Sequence, residues 1–267
     1  MERVLFIAKA ENLKYFNSHF SRLYFGNEFC QRLIPSPQEF DQVMDFVQEH
    51  HIALSLVTPY VTNEGLKKWK ALIEKVAEVN PQSEVVFNDW GILNAIKKLS
   101  GELKPVLGRL MTKIKRGPRL MNAIDKLPPD AIKHLQSTNL SIPAYRKFLI
   151  SKGIKRAELD NPLQDINLNG VGSDIHLSFY IPFAYVTTTR FCLVASCDMP
   201  ERKGMIGIFP CKKECQKYTF TLDNHSMPST LIRKGNTIFF KNDRIPKADE
   251  LKAKKIDRLV IQPEIPI

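Results

Sequence analysis

The side chains with the most chemistry to offer are the cysteines. Cys192, Cys197, Cys211 and Cys215 fall within the stretch from Tyr185 to Cys215, and Cys30 lies far upstream. Cys211 and Cys215 form C-x3-C, a spacing that lets two thiolates share one metal centre. A set of soft thiolates suits zinc or an iron–sulfur cluster. The pair is flanked by Lys212, Lys213, Glu214 and Gln216, which argues against a plain core strand, and the lysines favour thiolate over thiol. No C-x3-C-x2-C triplet is present, so a cluster with a vacant iron for S-adenosylmethionine is not indicated. A four-cysteine cluster has no open iron and would transfer electrons or hold structure. Three of the late cysteines together with Cys30 are therefore expected to hold one metal cofactor. An odd total of five cysteines fits poorly with a complete set of disulfides.

Acid–base chemistry has weaker candidates. Glu28, Asp89, Glu158 and Asp160 could work at a barrel mouth, but each also reads as a helix cap or a surface carboxylate, and Asp89 is well placed as an N-cap. Arg109 could grip a carboxylate bidentately, or could be an exposed arginine with no such task. The six histidines form no H-E-x-x-H pattern, and no Ser, His and acid set stands out by spacing. His50 and His51 sit at a helix C-terminus, where the helix dipole is their natural partner.

The net charge is +11, and it is uneven. Between Lys97 and Arg156 there are 15 Lys and Arg against 3 acids, 15 − 3 = +12, so this segment carries the whole excess. Such a field favours anionic partners, either nucleic acid or a small molecule bearing carboxylate or phosphate; the plainer reading is a solvated basic face. No apolar run reaches the ~18 residues needed to cross a bilayer. The N-terminus reads as a buried strand, Val4 to Ala8, and not as a signal peptide. A cytoplasmic location with reduced thiols is expected.

The elements that must position these residues alternate. Strands are expected at Arg22–Gly26, Ile52–Val57, Glu84–Phe87, Lys104–Leu110 and Ile154–Leu159. Helices are expected from Pro37 to His51 behind a Ser36 cap, from Leu66 to Val79, from Asn88 to Leu99 and from Ser141 to Lys152. This alternation implies parallel strands with crossover helices, an α/β architecture. Thr112 to Leu140, basic and carrying Gly117-Pro118 and Pro128-Pro129, reads as an insertion or irregular helical excursion. One or two strands follow over Asp174–Thr189, short strands over Tyr218–Leu222, Leu231–Arg233 and Thr237–Phe240, then a helix (Ala248–Lys255) and a strand (Asp257–Gln262). Cys30, Asn88-Asp89, Glu158 and the cysteine stretch all fall just after strands, on the side where α/β proteins place ligands.

Several of these patches carry a family resemblance. Arg190-Phe191-Cys192-Leu193-Val194-Ala195-Ser196 followed by Cys211-Lys212-Lys213-Glu214-Cys215 resembles the metal-binding segment of the collagenase-like peptidases, family U-32, and most of all its UbiV-like iron–sulfur branch of oxygen-independent ubiquinone biosynthesis. The lead-in HLSFYIPFAY (176–185), the LYFGNEFC run ending at Cys30, the NDWGIL turn (88–93) and Arg156-Ala157-Glu158-Leu159 are similar too. The resemblance spans nearly the whole chain. It implies a 4Fe–4S cluster on Cys30, Cys192, Cys211 and Cys215, with Cys197 spare and zinc as the alternative metal. Cys192 is favoured over Cys197 because it follows Thr189-Arg190 as the family cysteine follows its arginine.

The resemblance also implies a TIM-like barrel over residues 1–180, and a cysteine-rich segment with a small β-rich region over 181–267 that closes it. The basic insertion and the helix-poor stretch Asn161 to Ser173 imply a gapped or distorted barrel. The function implied is that of an iron–sulfur component of an oxygen-independent hydroxylation system, working with a second family member as heterodimer and with prephenate as an anionic hydroxyl donor. A U-32-type peptidase and a component of an RNA-modifying hydroxylase are the alternatives.

Overall fold

In the early strands successive side chains face two different apolar surroundings. β1 (Glu2–Ile7) sends Val4 and Phe6 to one side and Leu5 and Ile7 to the other; β2 (Arg22–Gly26) sends Tyr24 one way and Leu23 and Phe25 the other. Strands apolar on both faces must be covered on both, as in parallel sheets wrapped by helices. The computed structural model describes residues 1–99, 102–202, 205 and 207–267.

Helices cover the outer face. α1 (Pro37–Glu49) starts on a full capping box: Ser36 and Glu39 bond each other's backbone N–H, with Pro37 at the first helical position. It buries Phe40, Val43, Met44 and Val47, the i, i+3, i+4, i+7 face read from the sequence. After β3 (Ala53–Val57), α2 (Asn63–Val79) starts on Thr62 and buries Trp69, Leu72, Ile73 and Val76. β4 (Glu84–Phe87) leads to α3 (Trp90–Lys98), where Asp89 accepts the Gly91 N–H at 2.7 Å and is the expected N-cap. A 3-10 turn, Ala10–Tyr15, stands where a helix would follow β1.

β5 (Lys104–Leu107) ends three residues earlier than expected, because Gly108 begins a turn closed by N–H bonds from Met111 and Thr112 to its carbonyl. The irregular excursion follows, with 3-10 turns and α4 (Pro129–Gln136), and after it comes α5 (Pro143–Ser151), the helix expected from Ser141 to Lys152. β6 (Arg156–Leu159) and β7 (His176–Ile181) come next, then β8 (Phe183–Thr188), β9 (Phe220–Leu222), β10 (Leu231–Lys234), β11 (Thr237–Lys241), α6 (Ala248–Ala253) and β12 (Ile256–Ile261).

The strands form two sheets. One is a closed parallel barrel in the order β1-β12-β7-β6-β5-β4-β3-β2; the other is antiparallel, β8-β11-β10-β9. The TIM-like α/β barrel is thus present, and the expectation of a gap is corrected. The stretch 161–173 has no helix, yet β6 and β7 pair directly from Arg156↔His176 to Leu159↔Phe179. A missing outer helix leaves the backbone ladder intact. The thinnest seam is β5 to β6, joined at Leu107↔Ala157 where the excursion leaves the barrel. The eighth barrel strand is β12, and the small sheet is inserted in the chain between β7 and β12.

Inside the barrel Val4, Phe6, Tyr24, Val57, Val86, Val106, Tyr180 and Val260 form a packed layer. Toward the N-terminal ends of the strands, Arg258 donates to Glu84 at 2.6 and 3.0 Å, to Glu2 at 2.6 Å and to the Tyr24 hydroxyl at 2.6 Å. Arg22 bonds Glu2 at 2.8 Å, and Arg156 bonds Asp257 at 2.6 Å.

Candidate metal centre

The parallel barrel puts the residues that follow β2, β4, β5 and β6 on one side. Gly26, at the end of β2, has φ +129, and a Cβ there would stand 2.1 Å from the Val57 carbonyl oxygen. Glycine therefore lets the chain leave the barrel tightly. The Asn27 side-chain oxygen then accepts the N–H groups of Phe29 (3.0 Å) and Cys30 (2.8 Å), a local turn that sets Cys30 just beyond the mouth. Phe29 is fully buried and packs on Tyr185 and Phe239 of the inserted sheet, ring centroids 5.4 and 5.2 Å away. The early cysteine is anchored against the late sheet through this aromatic contact.

The late cysteines are held by a second device. Glu214, buried between the two cysteine loops, accepts the Ser196 N–H at 2.8 Å with one oxygen and the Lys212 N–H at 3.0 Å with the other. Burial alone would raise this carboxyl, but the N–H groups around it hold it below the usual range. The Ser196 hydroxyl adds a bond to the Pro210 carbonyl at 2.7 Å. The loop bearing Cys192 is thereby tied to the loop bearing Cys211 and Cys215.

Cys30, Cys192, Cys211 and Cys215 line one cavity of about 180 Å³, together with Arg32 and Arg190. On the same measure a single water needs only ~10–15 Å³. Cys197, which like Cys192 packs against the neighbouring apolar cluster, does not line this cavity. All five cysteines are free of disulfides. Gly235, at φ +59, faces the site, and a Cβ there would press to 3.3 Å from the Cys215 Cβ. The Asn236 amide braces the wall by donating to the Phe29 and Thr189 carbonyls at 2.6 and 2.7 Å and to the Tyr60 hydroxyl at 2.9 Å.

Each of the four sulfurs meets an N–H donor. Cys30 is served by the Arg32 backbone N–H, Cys192 by those of Val194 and Ala195, and Cys211 by that of Lys213 at 3.4 Å. Three of the four thus receive the N–H two residues downstream. Cys215 takes the Gln216 side-chain amide at 3.6 Å. Such donors favour the thiolate and, in iron–sulfur proteins, tune the cluster potential. Burial acts the other way and pushes the Cys30 thiol up to about 11, with the thiols of Cys215, Cys192 and Cys211 adding to the rise. Cys192 and Cys215 are raised for the same reasons, burial first. Thiols crowded in this way are protonated until a cation compensates them. Among the described residues, no three His, Cys, Asp or Glu side chains are gathered closely enough to hold a single metal ion. The four sulfurs surround a shared space instead.

This donor set fits a 4Fe–4S cluster: four soft thiols, polar N–H groups aimed at them, and two guanidinium-bearing side chains at the wall of a site whose occupant would carry net negative charge.

The acid–base candidates have other tasks. Arg109 is fully buried, donates to Glu28 through two nitrogens, and bonds Asp160 at 2.9 Å. Arg116 bonds the other Asp160 oxygen at 2.6 Å. The expected carboxylate grip of Arg109 exists, and its carboxylates belong to the protein. Glu28 and Asp160 are therefore not available at the mouth, and Asp89 is a helix cap. Glu158 lies inside the barrel, bonded by the Tyr24 hydroxyl at 3.0 Å, and burial raises it to about 7. Its second oxygen and the Tyr180 hydroxyl have no hydrogen-bond partner among the described residues. Glu214 and Asn236, which knit the site together, were not singled out as functional from the sequence; for Glu214 its place inside the cysteine pair was the one available signal. His50 accepts the dipole role: its ring bonds the Phe46 carbonyl at 3.0 Å.

No protein-family model and no curated protein matches the chain. Among solved structures it is similar to the U32 peptidase Mk0906, with a TM-score of 0.49 and 10% identity, over 99% of this chain and 93% of that one. It is also similar to a glycoside hydrolase family 18 N-acetylglucosaminidase from Paenibacillus barengoltzii (TM-score 0.39, 8% identity, 97% and 94% covered) and to a class V chitinase from Nicotiana tobaccum (0.39, 10%, 97% and 92%). At this level of likeness no activity is carried over from any of them. No helix among the described residues is long and apolar enough to cross a membrane.

Proposed function

We propose that the chain is a U-32-type iron–sulfur protein that carries one 4Fe–4S cluster on Cys30, Cys192, Cys211 and Cys215. One observation carries the reading: thiols from two distant parts of the chain line a single cavity, each with an N–H donor on its sulfur. Buried cysteines that served only as small apolar side chains would have no need of such donors. When bound, the cluster supplies one-electron transfer or rigidity, since all four irons would be ligated by protein. The chain's own part is to hold the thiols in place through Asn27, Glu214 and Asn236, and to offset negative charge with Arg32 and Arg190.

The motif resemblance extends the proposal to a component of an oxygen-independent hydroxylation system of the ubiquinone type, acting with a second family member and an anionic hydroxyl donor such as prephenate. The geometry described here supports the cluster, while the partner and donor rest on the resemblance alone.

The test is purification without oxygen, followed by a visible spectrum and assays for iron and acid-labile sulfide. A brown protein with about four irons and four sulfides per chain is expected. A colourless protein that carries zinc overturns the cluster.

A further inference from the structure

The basic segment is not uniformly free to meet a partner. Arg109 and Arg116 are consumed by Glu28 and Asp160, and Arg156 is consumed by Asp257. Four of the cations left over lie on the two helices that Trp90 and Phe148 bring into contact, α3 and α5. Lys97 and Lys98 end α3, and Lys147 and Lys152 lie on and just after α5. All four are exposed, none pairs with a carboxylate among the described residues, and neither helix contains an acidic residue.

Two large aromatic rings lie on the same two helices, Trp90 at the start of α3 and Phe148 within α5. Trp90 and Phe148 are 40% and 42% exposed and contact each other edge to face at 5.6 Å, bridging the two helices. The Lys152 ammonium lies over the Phe148 ring, 5.7 Å from its centroid. Burying these rings inward was open to the fold, since Trp69, the other tryptophan, is completely buried. Instead, exposed rings share these helices with cations that no carboxylate among the described residues pairs. That combination matches a chain of phosphates carrying flat bases: cations attract the backbone, and rings stack the bases without regard to sequence. An acidic protein surface would answer the lysines but would not call for exposed planar rings.

We infer that the α3–α5 flank binds single-stranded nucleic acid, with Trp90 and Phe148 as the stacking platform and Lys97, Lys98, Lys147 and Lys152 as phosphate contacts. The surface is separate from the cysteine cavity, so it is independent of the cluster and is tested on protein with or without it.

The experiment titrates full-length protein with a fluorescein-labelled 12-nucleotide RNA of mixed sequence, and reads both anisotropy and tryptophan emission. Because Trp69 is buried, quenching on binding reports Trp90. Expected are saturable quenching, Trp90→Ala and Phe148→Ala each weakening binding about tenfold or more, and Trp90→Phe keeping most of the affinity. The paired change Lys147→Gln with Lys152→Gln, both at exposed positions, lowers the slope of log K against log salt by about 1.4. Binding that is unchanged in Trp90→Ala and Phe148→Ala overturns the inference, as does binding without quenching. Equal quenching by polyglutamate overturns it in favour of an acidic protein partner.

Discussion

Two regions of this molecule collect reactive side chains, and they treat them in opposite ways. In the barrel, from its base to just under its mouth, charged groups other than Glu158 find opposite charges inside the protein: Arg258 with Glu84 and Glu2, Arg22 with Glu2, Arg109 with Glu28 and Asp160. In the cysteine cavity, four thiols meet N–H donors and one another, with Lys234 acting on Cys215 only through its charge and no cation hydrogen-bonded to sulfur among the described residues. A closed ion network answers its own desolvation cost and needs nothing from outside. The cysteine cavity is different: burial, and the neighbouring sulfurs if ionised, raise Cys30, Cys192 and Cys215, so their thiolate forms are left uncompensated by the site's own residues. Self-sufficiency marks structural polar groups, and its lack marks a site.

The sharpest way to break this comparison is to remove a thiol. Cys30→Ser and Cys215→Ser should each abolish iron binding and visible absorbance in protein purified without oxygen, while Cys197→Ser leaves both nearly unchanged. Loss of iron in Cys197→Ser alone would move the ligand set. Next in size is a broken ion pair. Arg109→Met leaves Glu28 and Asp160 buried without their shared partner, and denaturant unfolding should register a loss of about 3–5 kcal/mol.

A smaller effect tests the one barrel acid that is not balanced. Glu158 is raised from 4.5 to about 7, chiefly by burial. Its protonated form is the one the fold favours, so its contribution is full below 4.5 and is lost as pH rises through about 7. Glu158→Gln should therefore gain about 1–3 kcal/mol on the wild type between pH 5 and pH 8, measured by urea melts. Glu84, held at about 2 against burial by Arg258 above all, behaves oppositely: its contribution is present above 4.5 and lost as pH falls through about 2. Smallest is Gln216→Leu, which removes the amide on Cys215. Stability should move by no more than about 0.5 kcal/mol, while the potential of the loaded cluster, read by redox titration, shifts downward.

Much of the fold was legible because its signals are local. The Ser36–Pro37–Glu39 cap, the Asp89 cap, the faces of α1 and α2 and the strands at Arg22–Gly26 and Glu84–Phe87 lie where periodicity and capping chemistry put them. The cysteines stood out by type and spacing, and Cys192, favoured over Cys197 for its neighbouring arginine, lines the cavity shared with Cys30, Cys211 and Cys215. The fate of Arg109 and its carboxylates was not legible: a charge looks the same in sequence whether it faces water or a buried counter-ion 51 or 81 residues away. Nor did the missing helix at 161–173 betray that β6 and β7 still pair.

By itself the sequence determined element types and their order, the thiol inventory and the placement of excess positive charge, since each depends on neighbours a few residues apart. Only the tertiary structure decided that the barrel closes through β12, that Cys30 joins cysteines more than 160 positions later, and that Trp90 meets Phe148 on helices whose lysines no carboxylate among the described residues pairs. Those outcomes depend on long-range closure and on which charges are left after burial has claimed its partners, and no local pattern carries that information.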